Sequence, residues 1–168
     1  PIKSSAASDV YKRQSLFIIV GAAAVMAVAI PFWGMRADTW GRARIFGIAA
    51  ILLGITAYPT FWVLHNFSQN VLLVFLAIAL PFGIIYGAAY ATMSSLFSGS
   101  FEPTVRYSAV SFIYQFSGIF ASGLTPMIAT MLVSSNNGQP WYLCGYLLAA
   151  AVISSLSTCL LYTSPSPR

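Results

Sequence analysis

The side chains in this sequence that could do chemistry are six charged residues, confined to two short segments of residues 15–158. Asp38 and Arg42 stand four positions apart, a spacing that lets a carboxylate and a guanidinium pair. The apolar segments carry no paired carboxylates, no H-E-x-x-H pair and no Ser/His dyad, so we expect no enzyme, metal or cofactor. Cys144 and Cys159 also lack metal-ligand spacing. The six residues are Arg36, Asp38, Arg42, Arg44, Glu102 and Arg106.

The composition of the chain favours lipid over water as its surroundings. Hydrophobic residues make up 58% of the sequence and charged residues only 7%, whereas a soluble domain carries about 25% charged residues. The net charge of +5 does not indicate a nucleic-acid-binding protein, because the cations form no basic stripe with interleaved aromatics. We therefore expect the lipid bilayer, and no nucleic acid, as a partner.

Long apolar segments predict an all-α membrane protein with about five transmembrane helices. A spanning helix needs about 20 mostly apolar residues. The predicted loops are too short to fold as separate domains. The predicted helices cover about 15–33, 45–64, 71–97, 108–133 and 141–162, and the loops cover 34–44, 65–70, 99–106 and 134–140.

Small residues and prolines predict how these helices pack. The first helix is rich in glycine and alanine, which lets helices approach closely in lipid. Gly83 and Gly87 form a G-x-x-x-G pair that predicts a packing face in the third helix. Pro81 predicts a kink beside this face. Pro31 lies near the expected end of the first helix, where a kink or a helix end costs little free energy.

Charge placement predicts the orientation of the chain in the membrane. All six charges fall in loops 34–44 and 99–106, while the other two loops contain no Lys or Arg. By the positive-inside rule the two charged loops are expected in the cytoplasm. Four tryptophans fall near helix ends, as interfacial aromatics do: Trp33, Trp40, Trp62 and Trp141.

The spacing of residues in the first charged loop suits a tight turn between two helices. Gly34 is expected to end a helix and permit close contact, and Gly41 to permit a tight turn. Asp38 is expected just before the next helix, where free N–H groups favour an anion. An ordinary basic loop that fixes topology remains the alternative interpretation of Arg42 and Arg44.

The pattern G-x-x-x-D-x-x-G-R-x-R in residues 34–44 resembles the signature loop of the major facilitator superfamily. That loop lies between the second and third helices and again between the eighth and ninth. Thr39 and Ala43 replace two of its usual basic residues, as is typical of the eighth-to-ninth copy. The resemblance implies that Asp38 and Arg42 lock a cytoplasmic gate, with Gly34, Gly41 and Arg44 in the same signature.

The second charged loop and the helix after it strengthen this resemblance. Residues 102–115 read E-x-x-x-R-Y-S-x-x-S-x-x-Y-Q and are similar to the pattern that opens the eleventh helix in the metabolite:proton symporter branch; Glu102 and Arg106 both belong to that pattern. That branch includes shikimate, α-ketoglutarate, citrate and proline/betaine transporters. The resemblance implies a C-terminal-half fragment with the eighth to twelfth helices, whose missing N-terminal half would be a partner.

Polar residues within the predicted helices are candidates for lining a substrate cavity. Tyr114 and Gln115 lie on a polar stripe of the fourth helix, and Tyr86 and Tyr90 share one face of the third. Polar groups at membrane depth usually face a bundle interior or a water-filled cavity. Helix packing is the alternative for these four residues, and the interpretation we prefer for the serines of the stripe.

Both ends of the chain resemble translated sequencing adapters. Residues 4–14 read SSAASDVYKRQ and residues 159–168 read CLLYTSPSPR. We therefore expect residues 1–14 and 159–168 to be non-native tails, and residues 15–158 to be the major facilitator fragment.

The resemblance implies part of a secondary active transporter, a proton symporter for a small organic acid or zwitterionic metabolite that works by alternating access. Its partners would be a small polar metabolite and the proton, and its location the bacterial cytoplasmic (inner) membrane. Two alternatives remain: a structural or channel-like membrane bundle, and a membrane-embedded enzyme whose catalytic residues lie outside the fragment.

Overall fold

The computed structural model describes the backbone of residues 2–163 and the side chains of residues 12–163. Five helical segments in it are long and apolar enough to cross a membrane, which confirms the predicted all-α membrane fold. The predicted tails lie partly outside the described residues, at 1 and 164–168. The helices are α1 (Ile2–Trp40), α2 (Arg42–Asn66), α3 (Val71–Ile78), α4 (Tyr86–Gly99), α5 (Arg106–Gly118), α6 (Thr125–Ser135) and α7 (Trp141–Thr163), with π-helical segments at Ala79–Ile85 and Ile119–Leu124.

Two of the five spans contain a π-helical segment between two α-helices. The third span, Val71–Gly99, joins α3 to α4 through the first π-helical segment, and the fourth span, Arg106–Ser135, joins α5 to α6 through the second. Each π-helical segment lies close to a proline, Pro81 or Pro126, which has no N–H to donate to the carbonyl four residues earlier. The distortion predicted at Pro81 therefore takes the form of a locally widened helix.

The carbonyl that Pro81 leaves without its helical donor is satisfied by a neighbouring helix. In a regular helix the residue at position 81 would donate to the carbonyl of Ala77. Instead the Thr60 hydroxyl of α2 donates to that oxygen over 3.1 Å, at a partly buried position. The proline thus creates a polar contact between α2 and the third span.

The prediction of a loop over residues 34–44 is wrong for most of its length. α1 continues through Gly34 and Asp38 to Trp40, and Gly41 alone separates it from α2. Pro31 does not end the helix, because a proline removes one backbone hydrogen bond and leaves the following turns intact. Those turns are stabilised by packing, since Ala37 is buried against α2 and α4.

Glycines let the helices approach closely at two contacts. A Cβ at Gly83 would lie 2.7 Å from the Val25 Cγ1 atom, and one at Gly87 would lie 3.3 Å from the Ala29 Cβ atom. This confirms the packing face predicted in the third span, with α1 as its partner. A second contact, between Gly54 of α2 and Ala151 of α7, was not predicted and is equally tight, at 2.7 Å from a Cβ built on the glycine.

Candidate gating site at the charged end

Asp38 and Arg42 form an ion pair across the junction of α1 and α2. The Arg42 Nη2 atom donates to the Asp38 Oδ1 atom over 2.9 Å. Gly41 lies between the two helices with φ at +91°, in the left-handed region that favours glycine. The predicted tight turn and the predicted pairing are therefore both present. The two side chains remain 65% and 50% exposed, so the pair faces solvent.

A small apolar cluster directly behind the pair fixes its position. Ala37 precedes Asp38 and is buried, and Ile45 follows Arg42 by one turn and is also buried. The cluster joins α1, α2 and α4 and is Ala37, Ile45, Ala49, Ala88 and Ala89, with Trp33, Phe46, Leu53 and Ile85 packed around it. Because alanines dominate it, the three helices meet at short distance and the turn has little freedom to shift.

The ion pair lines a cleft of about 860 Å³. The opposite wall is the end of α4, with Ser95, Gly99 and Ser100, and the end of α7 closes the cleft. Leu161, Tyr162 and Thr163 in that closing wall belong to the adapter-like end of the sequence. The cleft therefore has two walls from the segment expected to be native, α1–α2 and α4.

Three details of the predicted signature are placed differently by the structure. Gly34 does not mediate close contact, because nothing lies within 4 Å of a Cβ built on it. Asp38 lies in the last turn of α1 rather than ahead of the free N–H groups of α2. Arg44 is exposed on α2, where no described residue pairs with it. The helical continuation of α1 to Trp40 accounts for the first two differences, because it moves both residues out of a loop.

Glu102 and Arg106, the two charged residues of the second signature, form no ion pair with each other among the described residues. Arg106 opens α5 and turns back, so that its Nε and Nη2 atoms each donate to the Phe101 carbonyl over 3.4 Å. Glu102 is exposed, and its carbonyl accepts from the Val105 N–H in the turn before α5. The backbone carbonyl of Phe101 takes the place of the carboxylate because it lies within reach of the folded-back guanidinium.

The cavity candidates of the third span share one exposed face, as predicted. The Phe82 ring stacks on the Tyr86 ring with centroids 5.5 Å apart, and the Tyr90 ring lies tilted to the Tyr86 ring at 6.1 Å. The two tyrosines are 38% and 50% exposed, so neither is packed inside the protein.

The cavity candidates of the fourth span touch the rest of the fold at one point. The Tyr114 ring meets the Phe97 ring edge-on at 6.0 Å, and Gln115 is exposed. Among the described residues no ring contact joins Tyr114 to Tyr86 or Tyr90. The structure therefore brings the candidates together in two separate pairs, both exposed.

Sequence reasoning missed the setting of Arg36. Its guanidinium carbon lies 5.4 Å from the Phe32 ring centroid and 5.6 Å from the Trp40 ring centroid. The three residues are spaced at i, i+4 and i+8, which places them on one face of a helix. This spacing indicates a shared face only in a helix, and the sequence predicts a loop over residues 34–44.

Comparisons with known proteins agree with the resemblance found in the sequence. A family model of the Major Facilitator Superfamily matches residues 7–168. The chain is 27% identical to the shikimate transporter of Escherichia coli (strain K12) over 154 residues, which are 90% of this chain and 34% of the relative. It is 31% identical to a putative proline/betaine transporter of Staphylococcus aureus (strain COL) over 147 residues, or 86% of this chain and 31% of the relative.

A third relative is also named as a transporter. The glycine betaine/proline/ectoine/pipecolic acid transporter OusA of Dickeya dadantii (strain 3937) is 30% identical over 148 residues, which are 87% of this chain and 28% of the relative. The chain thus spans about a third of the length of the curated relatives it matches. No solved structure matches it significantly. Since the family model covers nearly the whole chain, the chain belongs to the Major Facilitator Superfamily.

Proposed function

We propose that the chain is part of a secondary active transporter, a proton symporter for a small organic acid or zwitterionic metabolite. The observation that carries the proposal is the Asp38–Arg42 pair across the Gly41 turn, at the mouth of a cleft. Relatives of the chain are named as shikimate and proline/betaine transporters. The proposal rests on residues 15–158, which we regard as the native segment between two adapter-like ends.

In the proposed mechanism the Asp38–Arg42 pair is part of a gate. An exposed ion pair four residues apart contributes only roughly 0.3–0.5 kcal/mol to stability, so it stabilises the fold very little. It does fix the direction of the carboxylate, which lines the cleft opposite the end of α4. In alternating access the two halves of a transporter rock about a central site. A carboxylate at the rim of the cleft would then engage donors across the cleft only in the closed state.

The proposed substrate path follows the exposed polar residues of the fourth span and the exposed tyrosine face of the third span, which is otherwise part of the packed scaffold. Tyr86, Tyr90, Tyr114 and Gln115 offer hydroxyl and amide groups suited to carboxylate or zwitterionic ligands. Segments of π-helix are frequent at functional sites, and both spans contain one. The residues thus lie on the two elements best suited to line a site.

Proton coupling would reside elsewhere in the transporter. A proton carrier must titrate, and residues 45–64, 71–97, 108–133 and 141–158 contain no Asp, Glu, Lys, Arg or His. The proposed carrier is a carboxylate in the part that this chain does not cover. We also propose the cytoplasmic side of the bacterial inner membrane for the Gly41 turn and for 99–106, following the positive-inside rule.

The test is uptake by the full-length protein with Asp38→Asn. Radiolabelled shikimate, proline and betaine represent the two substrate classes. We expect uptake to fall by about tenfold or more, equivalent to roughly 1.4 kcal/mol of lost gating energy, while membrane insertion and thermal stability stay near wild type. Thr39→Val is the matched control, because it changes the exposed side chain next to Asp38 and leaves the ion pair intact. Normal uptake by the Asp38→Asn protein would overturn the gating role, and failure of all three substrates to enter the wild type would overturn the substrate class.

A further inference from the structure

The outer face of α1 near its end carries a cation held between two aromatic rings. We call Phe32, Arg36 and Trp40 the aromatic cradle. The Arg36 guanidinium lies over both rings, within 5.6 Å of each centroid. Both rings are about half exposed, at 48% for Phe32 and 55% for Trp40. The cradle is therefore open to the surroundings rather than packed against another helix.

The guanidinium of Arg36 has unused hydrogen-bonding capacity. The nearest acid in sequence, Asp38, is bonded to Arg42 instead. The Arg36 backbone carbonyl accepts from the Thr39 hydroxyl, but no described residue accepts from the guanidinium itself. Rings attract a guanidinium through their faces and leave its N–H groups free to donate. Arg36 is thus oriented by the rings with five donors still available.

The position of the cradle indicates what surrounds it. Trp33 and Ala37, on the neighbouring face of α1, pack into the apolar cluster behind the gate, whereas Phe32, Arg36 and Trp40 are exposed, so the cradle lies outside that packed face. It lies at the end of a membrane span, where tryptophan marks the boundary between hydrocarbon and water. At that depth the abundant hydrogen-bond acceptor is the phosphate of the lipid headgroups.

We propose that the aromatic cradle binds the headgroup phosphate of an anionic phospholipid. The planar guanidinium matches phosphate with two parallel hydrogen bonds. Phe32, one turn deeper than Arg36, would pack on the upper part of the acyl chains, while Trp40 would lie among the headgroups. A negatively charged leaflet also attracts cations near the membrane surface. The inference concerns lipid binding only and does not depend on the proposed transport.

The test is lipid retention by the full-length protein in nanodiscs that contain phosphatidylglycerol and phosphatidylcholine in equal amounts. Native mass spectrometry counts the lipids that remain bound after release. We expect a preference for phosphatidylglycerol in the wild type, and a loss of about fivefold with Arg36→Gln, the factor expected for one cation at a lipid surface. Arg44→Gln is the matched control, because it removes the same charge from an exposed position with no aromatic neighbour among the described contacts.

Two further variants separate the cradle from general charge attraction. Arg36→Lys keeps the charge but loses the planar fork, and Trp40→Leu keeps the arginine but loses one ring. We expect both to retain less phosphatidylglycerol than the wild type while unfolding at an unchanged temperature. Equal losses in Arg36→Gln and Arg44→Gln would overturn the proposal, as would wild-type retention in both further variants or equal retention of the two lipids by the wild type.

Discussion

Helix packing is close where α2 meets α7 and sparse along the fourth span. Between α2 and α7 the backbones approach so closely that a methyl group on Gly54 would lie 3.1 Å from the Leu148 Cα atom. In the fourth span no residue is buried, and Gly118 and Gly123 have open space where a Cβ would point. The same residue type therefore serves close packing in one region and has no packing role in the other.

This difference suggests a division of labour. The first, second, third and fifth spans meet through small residues, as helices do in lipid, where close packing replaces the hydrophobic effect. The fourth span instead presents a polar stripe on an uncovered surface: Ser108, Ser111, Tyr114, Gln115, Gly118, Ser122 and Thr125. We regard the packed spans as the scaffold and the fourth span as the element that lines the transport path.

The largest expected effect on stability comes from adding a methyl group at the close contact between α2 and α7. Gly54→Ala would place a Cβ 2.7 Å from the Ala151 Cβ atom and against the α7 backbone, which cannot yield without separating the helices. Overpacking of this kind costs about 1–3 kcal/mol. We expect a matching fall in the free energy of unfolding, measured by denaturant titration in detergent.

Gly123→Ala is the matched change in the fourth span. Nothing lies within 4 Å of its Cβ position, so no clash opposes the gain in helix propensity, which is about 0.5–1 kcal/mol. We expect unchanged or slightly higher stability. Equal destabilisation by the two substitutions would contradict the division between packed scaffold and open span.

A smaller loss of stability is expected from removing the hydrogen bond between α2 and the third span. Thr60→Val removes the hydroxyl that donates to the Ala77 carbonyl. Hydrogen bonds between membrane helices contribute about 0.6 kcal/mol on average, so we expect a loss of that size. Thr130→Val is the control in the fourth span, because its hydroxyl bonds only to the Met127 carbonyl of its own helix.

The role of the proline in this contact can be tested by a double-mutant cycle. Pro81→Ala restores an N–H that can donate to the Ala77 carbonyl, so Thr60→Val should cost less in that background. A cost that does not depend on residue 81 would show that the hydroxyl does not compensate for the proline.

The main features of the fold could be predicted because they follow from local composition. The five spans follow from apolar length, and the Gly83–Gly87 face and the distortion at Pro81 follow from residues whose effects are local. The end of α1 could not be predicted from such signals. Gly34 and the charged residues after it are typical of a loop, and the helix persists there because Ala37 packs on α2 and α4.

The candidate site was predictable in part for the same reason. The Asp38–Arg42 pair requires only a spacing of four residues and the turn at Gly41. The bond from Arg106 to the Phe101 carbonyl could not be predicted, because a sequence pattern does not record which backbone carbonyl lies within reach of a guanidinium. The cradle around Arg36 was missed because its spacing has meaning only once the segment is known to be helical.

The most direct test of the account is the water accessibility of residue 115 in the full-length protein. Cys144 is fully buried in this chain, so Gln115→Cys would be labelled with a small charged thiol reagent in a full-length background whose cysteines other than Cys144 are replaced by serine. Ile113→Cys, roughly opposite on the same helix and partly buried, is the control for a position away from the proposed path. The account predicts that the cysteine at 115 is labelled much faster than the one at 113 and is protected by substrate. Equal labelling at the two positions, or none at 115, would contradict it.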